Sequence, residues 1–337
     1  MKLQDFDYDL AKEFIAQYPL AKRDQARLLV IDRKSQRIYH DKFSNILEYL
    51  PHNSLIVLND TKVIPARLIG KRQTGGRVEV FLLKPLSDGY SYKTLIRPLK
   101  RLNINEKIIF NGAKIYASLK DPIEKIVRFN TRNVASILKL GMVPLPPYIK
   151  RQPQDIDKTH YQTVYARNNG SVASPTAGLH FTKEMLSKIR KSGIKTANVT
   201  LHVNYATFNP VKEDDIRKHR MHSEEFIAPK KTISEIKKAK AEGNQIIAVG
   251  TTSFRVLETI ADKMDEKEIK AETNLFVYPG YRTKLVDALI TNFHLPKTTL
   301  FMLVCAFAGT DLIKSAYNEA IARKYRFYSY GDCMLII

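Results

Sequence analysis

Between Val63 and about Phe129, apolar and polar residues alternate in short runs separated by turn residues. The runs are Val63 to Lys71, Arg77 to Leu83, Tyr90 to Arg97, Lys107 to Phe110, Ala113 to Leu119 and Lys125 to Phe129. Gln73-Thr74-Gly75-Gly76, Ser87-Asp88-Gly89 and Asn111-Gly112 fall among the breaks. Period-two alternation puts successive side chains on opposite faces of a strand, and glycine-bearing turns supply the positive φ that tight hairpins need. Five or six strands at this spacing predict a small antiparallel barrel, closed by a short helix from Asn133 to Leu140.

The rest of the chain has a different rhythm. Thr182 caps a helix running to Arg190 with Gly193 behind it, and Lys195 to Val203 reads as a strand. Thr232 and Glu235 make a capping box for a helix that stops at Gly243. Gln245 to Val249 is a strand that passes through Gly250-Thr251-Thr252-Ser253 into a helix near Phe254 to Ala261. Leu275 to Tyr278 is a further strand, and Thr298 to Phe307 and Asp311 to Arg323 are helices. Such alternation predicts an α/β domain with a largely parallel sheet. The N-terminal strands Arg27 to Ile31 and Leu55 to Leu58, with a capped helix from Ser44 to Leu50 between them, are too few to fold alone. Residues 1–60 and 150–337 are therefore expected to form the larger α/β domain, with 61–149 as an inserted small antiparallel β-barrel domain. Asn59-Asp60-Thr61 and the prolines Pro144, Pro146 and Pro147 bound the insertion.

Length and composition agree with two globular domains: 337 residues, 44% hydrophobic and 26% charged, exclude disordered and low-complexity classes. The longest near-apolar run, Leu300 to Ala308, falls far short of the ~20 residues that span a bilayer, so no membrane partner is expected. Charges interrupt the first ten residues where a signal peptide needs an apolar stretch. Cys305 and Cys333 are too few for a disulfide framework or a thiolate zinc site. A cytoplasmic protein is expected. The 55 basic residues exceed the 34 acidic ones, giving a net charge of +21. Such an excess attracts a polyanion through counterion release. It also fits a compositional bias, since 35 of the cations are Lys and they are dispersed along the chain.

Six polar or glycine-bearing stretches lie between elements, where α/β proteins place their sites. Ser171-Val172-Ala173-Ser174-Pro175-Thr176-Ala177-Gly178-Leu179-His180-Phe181-Thr182 holds small residues and then His180 before a helix. His180 is either a packing histidine or a functional one. Leu201-His202-Val203 ends a strand. His219-Arg220-Met221-His222-Ser223-Glu224 suits acid or base work by His222 or Glu224, a solvated turn, or a metal site. Gly250-Thr251-Thr252-Ser253-Phe254-Arg255 presents free backbone N–H groups at a helix start to a carboxylate or phosphate. Tyr278-Pro279-Gly280-Tyr281, followed by Thr291-Asn292-Phe293-His294-Leu295-Pro296, places aromatic rings by a turn. Tyr325-Arg326-Phe327-Tyr328-Ser329-Tyr330-Gly331-Asp332 interleaves rings and cations, as base stacking or a packed C-terminal strand would. No GxxxxGK[ST] or GxGxxG occurs.

In this order, these stretches resemble the S-adenosylmethionine:tRNA ribosyltransferase-isomerase family of queuosine biosynthesis. The resemblance runs nearly end to end. It includes Asp5-Phe6-Asp7-Tyr8, Asn59-Asp60-Thr61-Lys62-Val63-Ile64-Pro65-Ala66-Arg67, Leu145-Pro146-Pro147-Tyr148-Ile149 and Tyr161-Gln162-Thr163-Val164-Tyr165-Ala166. One stretch departs: Asn204 and Ala206 stand where the family has glycines, in Leu201-His202-Val203-Asn204-Tyr205-Ala206-Thr207-Phe208-Asn209-Pro210-Val211.

The resemblance implies an α/β domain with an inserted barrel, and a transferase. Its substrates are S-adenosylmethionine and a tRNA carrying 7-aminomethyl-7-deazaguanine at the wobble position; its products are epoxyqueuosine-tRNA, adenine and methionine. S-adenosylmethionine is consumed, so no metal or other cofactor is expected, and the chain is expected to act as a monomer. Matched to the demands of that chemistry, His202 or His222 is the expected base with Glu224 orienting it, and His180 or His294 the expected acid that protonates departing adenine. Glu258 or Asp287 is expected to bind the methionine ammonium, and Thr251 and Thr252 its carboxylate. Asp60, Thr176, Gly178, Thr207, Gly250, Arg255, Tyr278, Gly280, Asn292, Tyr328 and Tyr330 complete the expected substrate contacts. Arg67, Arg97 and the barrel lysine pairs are expected to meet tRNA phosphates. The competing readings are a non-catalytic tRNA-binding protein and a metal-dependent hydrolase at His219, His222 and Glu224.

Overall fold

The computed structural model describes residues 1–110, 114–204 and 211–337. The expected Asn111-Gly112 turn, Ala113 and the stretch from Tyr205 to Pro210, with Thr207, lie outside the described residues. A nine-stranded sheet runs in the order Ile269–Thr273, Glu224–Ala228, Lys195–Leu201, Leu55–Asn59, Ile246–Val249, Ala288–Asn292, Cys333–Ile336, Arg27–Asp32, Arg37–Lys42. Strands from both ends of the chain thus share one sheet. The four central strands, Lys195–Leu201, Leu55–Asn59, Ile246–Val249 and Ala288–Asn292, are parallel. Arg27–Asp32 runs parallel to Cys333–Ile336, whereas the outer pairs at both edges and Ala288–Asn292 with Cys333–Ile336 are antiparallel, so the sheet is mixed where the sequence predicts it largely parallel. At the Arg37–Lys42 edge the reason is chain length: residues 33–36 are too few for the crossover that parallel strands require.

Both faces of this sheet are covered, which explains the continuous apolar runs of its central strands. Leu55, Val57, Ala248 and Leu289 pack on one side with Phe254, Leu257, Ile236 and Phe301 from three helices, Gly250–Ile260, Lys230–Ala241 and Thr299–Ala308. Ile56, Leu58, Val249 and Ile290 pack on the other with Met185, Leu186 and Ile189 of helix Lys183–Lys191. The expected cap of that helix is present, the Thr182 hydroxyl accepting from Met185 N–H at 3.1 Å. Among the described residues no single helix is long and apolar enough to cross a membrane.

The second sheet closes on itself. Arg67–Arg72, Arg77–Pro85, Ser91–Arg97, Ile126–Phe129, Tyr116–Asp121 and Lys107–Phe110 pair in turn, and Gly70 opposite Phe110 seals the barrel. Leu68, Val80, Ile108, Leu119 and Val127 fill its interior. The expected strand Val63 to Lys71 is split: Thr61–Val63 pairs with Asn168–Ser171, and the barrel strand begins only at Arg67. Pro65, which has no N–H to donate, sits in the gap. The closing helix is Val134–Leu138, capped by Asn133.

Three other expectations fail for identifiable reasons. Leu275 to Tyr278 is not a strand, because Arg255 Nη2 and Nε take the carbonyls of Thr273 and Leu275 at 3.1 and 3.0 Å. Thr232 does not cap its helix, which starts earlier, behind Pro229; its hydroxyl donates to the Asn198 carbonyl instead. Ser44 to Leu50 is a 3₁₀ turn, Phe43–Glu48, whose three-residue repeat buries Phe43 and Ile46 together.

The junction between the sheets rests on Asn59. Main-chain pairing with Lys195–Leu201 ends at Val199 opposite Asn59, where the chain turns off toward the barrel. The fully buried Asn59 side chain then replaces the missing strand: Nδ2 donates to the Leu201 carbonyl and Oδ1 accepts from Leu201 N–H, both at 3.0 Å. Asn59→Ala leaves both Leu201 groups buried and unpaired. At about 1–3 kcal/mol per orphaned group, urea unfolding should show a loss of roughly 2–6 kcal/mol.

Candidate functional site

Parallel alignment brings four strand ends to one edge of the sheet, and a cleft opens there. It encloses about 560 Å³, its open mouth included. Val203 follows the Lys195–Leu201 strand into its wall, and Gly250, Thr251 and Thr252 follow Ile246–Val249. Thr291, Asn292 and His294 come from the end of Ala288–Asn292, and Thr176 from the 3₁₀ turn Thr176–His180. Gly250 has φ +84°, a backbone that lets the strand turn directly into a helix whose first N–H groups face the cleft side. Of the expected contacts, Thr176, Gly250, Thr251, Thr252, Asn292, His294 and Tyr328 meet here.

His180 stands one layer behind the wall. The Thr176 hydroxyl donates to Asn292 Oδ1 at 2.9 Å, so the Asn292 amide nitrogen donates to His180 Nε2 at 3.1 Å. His180 therefore accepts at Nε2 and carries its proton on Nδ1. Burial first, then the Arg326 and Arg23 charges, push its pKa down to about 4. His294 is buried in the cleft wall itself. Its Nε2 pairs with the Thr291 hydroxyl at 3.0 Å, its N–H donates to Tyr317 OH at 3.0 Å, and Tyr8 OH donates to its carbonyl. Burial pushes its pKa down to about 3. Both imidazoles are neutral at neutral pH, so neither holds the extra proton that the expected acid role requires.

The other expected catalytic groups lie outside the cleft lining. His202 is half-buried beside Val203, with Thr61 Oγ1 on its Nδ1 at 2.7 Å, and burial lowers its pKa. His222 is exposed. Glu224 is buried, ion-paired with Arg255, and accepts from Asn204 N–H at 3.0 Å. Among the described residues no group of three or more His, Cys, Asp or Glu is gathered as a metal site, so His219, His222 and Glu224 do not form one.

The carboxylates expected to hold an ammonium are committed elsewhere. Glu258 accepts from the N–H groups of Lys284, Leu285 and Val286 at 2.8, 3.0 and 2.9 Å and from Tyr281 OH at 3.0 Å, fastening a turn. Asp287 precedes the Ala288–Asn292 strand, at its far end from the cleft, and takes Ile246 N–H at 2.9 Å and Lys240. Asp60 accepts from Thr200 Oγ1 at 2.6 Å and Asn168 Nδ2 at 3.0 Å, bracing the barrel connection. Gly178 is small because a Cβ there would lie 1.9 Å from Tyr165 OH. Tyr278 packs against Phe276, and Gly280 is in an exposed turn. Tyr330 donates to Asp157 at 2.7 Å just behind the cleft. Arg67 lines a separate open groove of about 920 Å³ with Arg97, Lys150 and Arg151.

Sequence reasoning missed Ser174, Ser329, Tyr148 and Tyr161 as wall residues. The two tyrosines follow a proline cluster and a short helix, Asp155–His160, and the signal that could have found them is an aromatic at the end of Leu145-Pro146-Pro147-Tyr148. Ser174 Oγ and Thr252 Oγ1 are buried without a partner.

Two neutral buried histidines set a pH dependence. Unfolded His titrates near 6.5, so the unfolded chain binds protons first as pH falls. The stability they contribute is complete above about 6.5 and is lost progressively toward pH 4 and 3, which urea midpoints across that range will show. Asn292→Asp puts a carboxylate against Nε2 of His180 and should raise its pKa by about one to three, read from imidazole NMR titration.

The queuosine biosynthesis protein family matches residues 3–336. An S-adenosylmethionine:tRNA ribosyltransferase-isomerase of Sulfurihydrogenibium sp. (strain YO3AOP1) is 52% identical, with all of both chains covered. One of Thermotoga maritima is 46% identical over the full length of both. The crystal structure of an S-adenosylmethionine tRNA ribosyltransferase from Thermotoga maritima superposes with a TM-score of 0.59 at 37% identity, over 99% of this chain and 100% of that one. With its strand-end cleft built from the same segments that carry the resemblance, the chain belongs to the queuosine biosynthesis protein family.

Proposed function

We propose that this protein is an S-adenosylmethionine:tRNA ribosyltransferase-isomerase. It moves the ribosyl moiety of S-adenosylmethionine onto 7-aminomethyl-7-deazaguanine at the tRNA wobble position and releases adenine and methionine. The observation that carries this reading is the cleft itself. It joins backbone donors, hydroxyls and rings at the ends of parallel strands, where α/β proteins hold their ligands. A tRNA substrate places the work in the cytoplasm.

The residues suit the two ends of such a substrate differently. The Gly250–Ile260 helix start offers N–H groups and a positive dipole end to the methionine carboxylate, with the unpartnered Ser174 and Thr252 hydroxyls beside it. The sulfonium acidifies the neighbouring 5′ methylene, so a neutral imidazole can start the reaction. We assign that proton to His202, whose ring Thr61 fixes and which adjoins Val203 of the wall. The non-catalytic alternative asks only for a basic surface and leaves this enclosed polar cleft without a use.

Incubation with S-adenosylmethionine and precursor tRNA should release adenine and methionine in equal amounts. His202→Ala should slow adenine release by about 10²–10⁴-fold, the usual worth of a general base. Tight tRNA binding with no adenine release overturns the assignment of an enzyme, whereas full activity in His202→Ala removes only the base.

A further inference from the structure

A cleft that receives S-adenosylmethionine must accommodate a positive sulfur, yet its described lining contains no aspartate or glutamate. The buried carboxylates Glu224 and Asp157 are engaged elsewhere, Glu224 with Arg255, and Asp157 with Arg151 at 2.7 Å and with Tyr330. Taking a cation out of water without a compensating negative potential is costly, so another source of that potential is required.

The wall supplies phenol rings instead. Tyr148 and Tyr328 stand almost perpendicular, 88° apart, with ring centroids at 3.9 Å, and Tyr161 adds a third ring to the same wall. Perpendicular rings make a corner, and a group lodged in it meets the negative π face of at least one. Burial raises the phenol pKa of all three, so they meet a ligand as neutral rings and not as phenolates.

The corner is held against strain. Tyr328 has φ +72°, the left-handed region that a bulky residue adopts only when its surroundings impose it. Its N–H donates to the Phe293 carbonyl at 3.1 Å and its carbonyl accepts from Gly331 N–H at 2.9 Å. Tyr148 is pinned separately, its hydroxyl hydrogen-bonded to Ser329. Strain kept at a cleft wall, on a residue whose ring faces another fixed ring, is the pattern of a preorganised binding group.

We propose that the Tyr148–Tyr328 corner is the sulfonium subsite, selecting the charged sulfur of S-adenosylmethionine over a neutral thioether by cation–π attraction. The proposal rests on the substrate reading above. It makes Tyr148 and Tyr328 specificity residues, and it explains why a cationic substrate is taken by a cleft without acidic side chains.

Calorimetric binding of S-adenosylmethionine and of S-adenosylhomocysteine, the uncharged thioether on the same scaffold, tests it. The readout is the ratio of the two Kd values, which misfolded protein does not alter because it changes only the apparent stoichiometry. Wild-type protein should favour the sulfonium. Tyr148→Phe and Tyr328→Phe should keep that preference, and Tyr148→Leu and Tyr328→Leu should reduce it by roughly 5- to 30-fold, the equivalent of about 1–2 kcal/mol. Leu variants that weaken both ligands equally overturn the subsite and leave the substrate reading standing, as does a wild-type protein with no preference. A wild-type protein that binds neither nucleoside overturns the substrate reading and the subsite with it. Should Tyr328→Leu not fold, the half-buried Tyr148 pair gives the same answer.

Discussion

The buried amide of Asn59 extends the central sheet two residues beyond the point where its own main chain turns away. By holding both polar groups of Leu201, it fixes where the neighbouring strand ends, and so where His202 and Val203 begin. The same side chain accepts from Thr61 N–H at 3.2 Å, which aims the departing chain toward the barrel. Asp60, between them, ties that chain to Thr200 and to Asn168 of the returning segment. One edge of the cleft and the passage to the barrel are therefore set by a single polar knot, in which Asn59, Asp60, Thr61 and Thr200 are all buried.

What this knot positions is a site with little charge of its own. Desolvation keeps His180 and His294 neutral, and the nearby carboxylates serve as acceptors for backbone N–H groups, hydroxyls or arginines. Recognition falls to oriented dipoles, hydroxyls and rings, whose placement is paid for by packing. The net charge of +21 belongs to the outside. The segment from Leu145 to Gln152 connects the two regimes: Tyr148 faces the cleft, while Pro147, Ile149, Lys150 and Arg151 line the open groove beside it.

Much of the fold was legible because local signals and tertiary demands agree. Barrel strands alternate with period two between glycine turns, and Thr182 caps the helix that it precedes. Where distant groups intervened, local signals misled: Arg255 drew off the carbonyl of Leu275, at the head of the expected strand Leu275 to Tyr278, and Asn198 captured the hydroxyl of Thr232. The site was legible in part for a similar reason. Small and hydroxyl residues that end or follow strands gather at one edge of the sheet, so the position of Gly250, Thr251, Thr252 and Asn292 at the cleft could be read from the sequence. A carboxylate such as Glu258 looks the same in sequence whether it awaits an ammonium or fastens three N–H groups of a turn. Tyr148 was hidden because its partner, Tyr328, lies 180 residues away and meets it only through the return of the C-terminal segment.

The location of bound substrate tests the whole arrangement most directly. A crystal structure with S-adenosylmethionine, without tRNA so that no turnover occurs, should show the sulfur lodged in the Tyr148–Tyr328 corner, against a ring face. It should also show the methionine carboxylate at the N–H groups of Gly250, Thr251 and Thr252. A nucleoside lying instead in the groove between Arg67 and Lys150, or a sulfur held by a carboxylate such as Glu258, would contradict it.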